Sequence, residues 1–300
     1  MEEIFIPGTG AKKSSIDVRT IKHEKMTTMA ALPDVVGGYD YALTEIEHQH
    51  RVGICTAIAL TQNARKALGR KFSADFQYLL QKKYFDSNWD EGSSIFNSLK
   101  VAKKYGMLPA ELFTFVTEAD RNLPYAQYIA KLQAISEEDI QKLITQSSDY
   151  KLSGYAVVDI STPQTISKAI TDSKSGILCR YTVDSAWYTA IDGRTSWSPA
   201  DINPLRAPKT PESGHAITGS KYDYTTNVDI ILANTWGASW NKEGLADTDW
   251  NNYKMTEAWI PYYGMTDVQL NELKAKLQAK IGIMQRIIAL WMQIKNLTKK

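Results

Sequence analysis

A chain of 300 residues with 43% apolar and 23% charged side chains can bury roughly three quarters of its unfolded surface in one or two domains, which excludes disorder and collagen-like character. Its 35 Lys and Arg face 33 Asp and Glu, and a net charge of +2 supplies no domain-wide basic field for nucleic acid, so small or peptide-like substrates are favoured. Two cysteines, Cys55 and Cys179, are too few for a disulfide framework or a closed thiolate zinc site, so packing must hold the fold.

Residues 1–33 carry a Pro-Gly-Thr-Gly turn and a Lys/Ser stretch with few large apolar groups, and read as an extension outside the core. Met1–Gly10 has two early glutamates and no apolar h-region, so no secretory signal is expected, and no apolar run reaches the ~18 residues of a membrane span. Helical spacing begins after Gly53, with Ala57, Leu60, Ala64 and Leu68 on one face and Gly69 as a stop. Ser73 can cap a helix over 74–85, and Ser93 or Ser94 one that carries Ile95, Leu99 and Ala102 and ends at Gly106. Ser136 with Asp139 resembles a capping box ahead of Ile140, Leu143 and Ile144, and Thr162-Pro163 supplies a cap and a first-turn proline before Ile166 and Ile170.

Beyond residue 150 the pattern changes to short β-branched and aromatic runs at 155–160, 177–183, 215–221, 228–233 and 258–262, which read as strands. Helices followed by strands predict an α+β fold of two lobes with a cleft between them. Thr266-Asp267 can then cap a helix running nearly to Lys300, with a seam of Leu270, Leu277, Ile281, Met284, Ile288 and Trp291 at coiled-coil spacing. That segment carries seven Lys/Arg and two acids. Self-association or docking to a partner protein is the leading expectation for it, ahead of packing in cis and of membrane-surface binding.

Cys55 opens the first helix, where unpaired backbone N–H groups and the helix dipole favour a thiolate, although a lone cysteine also suits a buried apolar site. Of the four histidines, His23 lies in the extension. His48 and His50 stand two apart and could face a metal together, but no further ligands of suitable spacing accompany them, and no metal or other cofactor is expected. His215 opens a strand whose partner runs into Asn234. A hairpin symmetric about the turn at 223–226 sets 222 against 227 and His215 directly opposite Asn234, close enough for an amide to orient an imidazole; a one-residue slip would separate them. Gln49, on the loop into the same helix, can pair its amide with the Cys55 backbone N–H as a two-donor oxyanion hole.

The stretch Gln49-His50-Arg51-Val52-Gly53-Ile54-Cys55-Thr56-Ala57, with Gly214-His215-Ala216 and Asn234-Thr235-Trp236-Gly237-Ala238-Ser239-Trp240, resembles the papain-like cysteine peptidases over about residues 32–263. The resemblance implies a peptidase domain at 34–264 between an extension at 1–33 and the amphipathic helix at 265–300. It implies Cys55 as nucleophile, His215 as general base and acid, Asn234 as orienter, Gln49 as oxyanion donor and Trp236 as a shield over the His–Asn bond. Glu91-Gly92-Ser93-Ser94 is similar to the segment lining one side of the family's cleft, so Gly92, Ser93, Gly214 and Trp236 become the expected substrate-binding residues, for a peptide or protein substrate. Thr56 and Val52 replace the family's tryptophan and disulfide cysteine, which is similar to its disulfide-poor bacterial and phage branch. The residues before the domain lack the family's long charged inhibitory helix, so control of that kind is not expected. The alternative is a binding or structural module of a larger assembly on the same fold, with weak or no peptidase activity.

Overall fold

The computed structural model describes residues 10–14, 45–173, 176–183, 213–223, 229–240, 243–249 and 255–264. The helix expected over 266–300, His23 and the turn at 224–226 lie outside the described residues.

The first lobe is helical: α1 (Cys55–Leu68), α2 (Ala74–Tyr84), α3 (Ile95–Lys104), α4 (Tyr125–Gln133) and α5 (Glu137–Ser147). The caps read from sequence form as hydrogen bonds: Ser73 Oγ accepts from Phe76 N, Ser94 Oγ from Asn97 N and Ser136 Oγ from Asp139 N, while Gly69 takes the left-handed conformation that ends α1. Helix α4, after Pro124, was not anticipated. The lobe's core joins Ile54, Ile58, Phe76, Leu80, Tyr128 and Leu132, all buried.

The second lobe is a six-stranded antiparallel sheet in the order β3 (Gly154–Val157), β8 (Glu257–Tyr262), β4 (Ile177–Val183), β5 (Ser213–Asp223), β6 (Asp229–Ala233), β7 (Leu245–Asp249). Helix α6 (Pro163–Ser173) packs on it through Ile166 and Ile170, sharing an apolar cluster with Ile217, Leu232, Trp236 and Cys179, which is a core residue. The α+β expectation holds. A third cluster joins the lobes: Cys55, Ala59 and Leu60 of α1 and Leu99 of α3 meet Leu178, Ala216 and Trp259 of the sheet.

Two further short strands correct, at the described residues Gly10–Ser14 alone, the reading of residues 1–33 as standing outside the core. Ala11–Lys12 (β1) pairs in parallel with Ser93–Ser94 (β2), and Ala11 is buried in the interlobe cluster. The hairpin register also differs from the symmetric one. Asp223 faces Asp229 and Tyr222 faces Ile230, then an irregularity between Gly219 and Lys221 shifts the inner rungs to Gly219–Leu232 and Thr218–Ala233. The symmetric turn would have been three residues out at the outer rungs; the bulge removes one, leaving an even offset that keeps His215 and Asn234 on one face.

Candidate active site

Helix α1 begins at Cys55 with no side-chain cap, and Thr218 Oγ1 of β5 donates to Ala59 O at 3.1 Å, locking the helix against the strand that carries His215. The Cys55 sulfur is fully buried and lies against the backbone amides of Ala216, Gly10, Thr56 and Cys55 itself. Burial pushes the thiol upward from its ordinary value, and those amides only partly offset it.

His215 and Asn234 meet although they are not directly opposed. Asn234 lies just past the last rung of β6, diagonal to His215, and His215 Nε2 stands 2.6 Å from Asn234 Oδ1. The same oxygen accepts Thr235 N–H at 2.8 Å, which fixes it as the amide oxygen. Nε2 therefore carries the hydrogen, and the basic lone pair of a neutral ring is on Nδ1. The Asn234 backbone is held by Gly244 O at 2.9 Å and by Gln62 Nε2 at 3.1 Å. Trp236 lies 4.5 Å from His215 between ring centroids, backed edge-on by Trp240. Burial drives the His215 pKa down to about 4 against the opposing pull of Asn234. With both groups dry, burial favours the neutral thiol and the neutral imidazole.

Gln49 is buried on the loop before α1. Its Oε1 accepts from Thr235 Oγ1 at 2.5 Å, its Nε2 donates to Val52 O at 3.1 Å, and its backbone N donates to Thr235 O at 2.9 Å. Thr235, whose hydroxyl also stands 3.4 Å from His215 Nε2, thus links the oxyanion candidate to the His–Asn pair. Beneath this loop Arg121 is buried between Asp75 and Glu47, at 2.7 Å from each, and donates to His48 O at 2.9 Å. His48 and His50 stack with centroids 4.0 Å apart, His48 Nδ1 accepting from His50 N, and no group of three or more potential metal ligands gathers among the described residues.

The expected substrate-binding residues Gly92, Ser93 and Gly214 all touch the N-terminal strap, Gly10–Ser14. Ser93 N donates to Gly10 O at 2.9 Å, and a Cβ on Gly92 would lie 2.1 Å from that same oxygen. Gly92 has φ +82 and is held from behind by Tyr78 Oη on its N–H and Lys82 Nζ on its carbonyl. A Cβ on Gly214 would lie 2.1 Å from Ala11 O. On the sheet side Arg180 Nε donates to Ala11 O at 2.8 Å and Glu257 Oε2 accepts Ser14 N–H at 3.0 Å. The strap thus lies between the lobes and over the sulfur. Sequence reasoning missed Arg180, Glu257, Arg121 and the strap; Thr235 was findable, because it stands where the family motif has another hydroxyl residue, serine.

This fold is that of the papain-like cysteine peptidases. The chain is similar to xylellain, a cysteine protease from Xylella fastidiosa, at 17% identity and a TM-score of 0.65 over 88% of this chain and 99% of that one. It is also similar to digestive procathepsin L 3 of Tenebrio molitor larval midgut (15% identity, TM-score 0.53, 81% and 76% of the two chains) and to bromelain from Ananas comosus (16%, 0.52, 77% and 100%). No protein-family model and no curated protein matches the chain.

Proposed function

We propose that the chain is a cysteine peptidase, latent while its own strap covers the nucleophile, and that it hydrolyses peptide bonds in peptide or protein substrates. The observation that carries this is the 2.6 Å contact of His215 Nε2 with Asn234 Oδ1, on the strand whose next residue, Ala216, abuts the Cys55 sulfur. With the strap displaced, His215 Nδ1 takes the Cys55 proton and the sulfur attacks the peptide carbonyl carbon. The oxyanion is held by the Cys55 backbone N–H and a Gln49 Nε2 N–H. The protonated imidazole gives its proton to the leaving amine as the C–N bond breaks, leaving a thioester. Water, losing a proton to His215, attacks the thioester; the C–S bond breaks, and the acid and thiol are released. Trp236 shields the His–Asn bond from water, and Gly92, Ser93 and Gly214 present backbone to the substrate as they do to the strap.

A second reading, a papain-fold module without peptidase activity, is favoured by the same strap, because a permanently covered thiol of raised pKa does no chemistry. Peptide hydrolysis by the full chain carrying Gly10→Val, compared with the same chain also carrying Cys55→Ala, separates the two. Turnover that Cys55→Ala abolishes supports the peptidase, and no turnover in either supports the module.

A further inference from the structure

Arg121 stands in the short 3-10 turn Glu118–Asn122 of the helical lobe and is buried. Its Nε and Nη2 donate to the two oxygens of Asp75 at 3.0 and 2.7 Å, and Tyr128 Oη donates to Asp75 Oδ1 at 2.9 Å, so α2 and α4 together fix the plane of the guanidinium. From there it reaches the loop that carries Gln49. Nη2 donates to Glu47 Oε1 at 2.7 Å, Nη1 donates to His48 O at 2.9 Å, and the Arg121 carbonyl accepts the Arg51 N–H at 3.1 Å. The loop is thus held on both sides of position 49. With the peptidase reading above as premise, we infer that Arg121 is a positioning residue for the oxyanion hole and that it acts through Gln49.

The peptide unit between His48 and Gln49 carries the effect. Its oxygen accepts from Arg121 of the helical lobe, and its N–H donates to Thr235 O at 2.9 Å, just past the end of β6. Both polar groups of one peptide plane are therefore pinned from opposite lobes, and that plane sets the direction in which the Gln49 side chain leaves the backbone. His50, one residue on, has a φ of +53, which a residue with a Cβ keeps only where its surroundings hold it, and the contacts to His48 and Arg51 bracket it. An oxyanion donor works when it stands within about half an ångström of its place before the charge develops, so loosening this peptide costs transition-state binding and spares substrate binding. The positive charge of Arg121 is not what reaches the oxyanion. Asp75 and Glu47 already face that charge, and little of its field is left over. Its contribution is the shape of the fork, which grips a carboxylate at two points and still reaches a carbonyl, whereas a lysine ammonium is a point charge on a flexible stem.

The test is steady-state peptide hydrolysis by the full chain carrying Gly10→Val, alone and with Arg121→Lys, Gln49→Ala or both, and with Cys55 alkylation, which forms no oxyanion, measured on each. Arg121→Lys should lower kcat by about tenfold or more, with KM within about twofold and alkylation within about threefold of the parent. In the Gln49→Ala background the same change should cost less than about threefold, because the group it positions is gone. Asp75→Asn is the second variant, for the case that Arg121→Lys does not fold by circular dichroism. It offers the guanidinium one acceptor oxygen in place of two while Arg121 stays paired with Glu47, and should give the same pattern with a smaller loss. Losses that multiply in the double variant, alkylation that falls as far as kcat, or a kcat that neither substitution changes would overturn the inference, the first two being what a purely structural residue gives. A parent that turns over and ignores Arg121→Lys sinks the inference alone, whereas a parent without turnover removes the peptidase reading and the inference with it.

Discussion

Asn234 Oδ1 accepts two N–H groups at once, His215 Nε2–H at 2.6 Å and Thr235 N–H at 2.8 Å, and the second bond is what makes the first informative. It rules out a flipped amide, so the ring is held as one tautomer with Nδ1 as its basic atom. Replacing Asn234 by Ala removes that constraint and should lower kcat on the order of 10²-fold with KM little changed. Asn234→Asp keeps the acceptor and adds a negative charge that raises the imidazole pKa, so its activity should persist with the acidic limb of the pH profile moved upward. Steady-state kinetics across pH on the strap-displaced chain checks both.

Gln49 is positioned by Thr235 and Val52 on a loop built over Arg121. Gln49→Ala should cost about 10²–10³-fold in kcat while Cys55 alkylation, which forms no oxyanion, slows far less. Equal loss in both assays would mean that Gln49 supports the local structure and not the reaction.

Arg121 is a buried cation facing Asp75 and Glu47, so Arg121→Met leaves two buried carboxylates without their partner and should destabilise the fold by about 3–5 kcal/mol. Urea denaturation at neutral pH measures it. A change below about 1 kcal/mol would show that the cluster is not a strut for the loop.

A Cβ at position 10 would lie 2.7 Å from Gly92 Cα and 2.8 Å from Gly53 O, both backbone atoms that cannot move aside cheaply. Gly10→Val should therefore lift the strap, rehydrate the Cys55 sulfur and raise its alkylation rate by about tenfold or more, with the fold intact by circular dichroism. An unchanged rate would mean that the strap does not govern access.

Burial holds His215 neutral down to about pH 4, whereas an unfolded histidine takes up its proton near 6.5. Between those values the unfolded chain binds the extra proton, so this residue's contribution is fully present above about pH 6.5 and is lost as pH falls toward 4. His48, lowered to about 4 by burial first and by His50 second, acts in the same window. Glu47 and Glu91, raised by burial, act in the opposite direction as pH rises above the ordinary carboxylate value. The difference in urea midpoint between the wild type and His215→Gln isolates the histidine, and wild type should lose its advantage between pH 6.5 and 4.

The helical lobe was legible because its signals are local: Ser73, Ser94 and Ser136 each cap within three residues, and Gly69 stops α1 where no other residue suits as well. Cys55, His215 and Asn234 were legible from residue type and spacing. The contact of His215 with Asn234 was expected through a symmetric turn, whereas the real register depends on a bulge between Gly219 and Lys221 that no composition rule signals. The strand Leu245–Asp249 was missed because its Leu-Ala-Asp-Thr-Asp sequence shows no apolar alternation. The strap was hidden for a different reason: what holds Gly10–Ser14 are Ser93, Arg180 and Glu257, distant in sequence and spread over both lobes, so nothing in its own short polar run indicates where it lies.

The central claim concerns the reactivity of one sulfur, and mass-mapped labelling of the full chain carrying Gly10→Val by an epoxide thiol inhibitor tests it most directly. The account predicts one adduct per chain, on Cys55 and not on Cys179, with the labelling lost when His215 is also changed to Ala. No adduct, an adduct on Cys179, or labelling of Cys55 indifferent to His215 would contradict it.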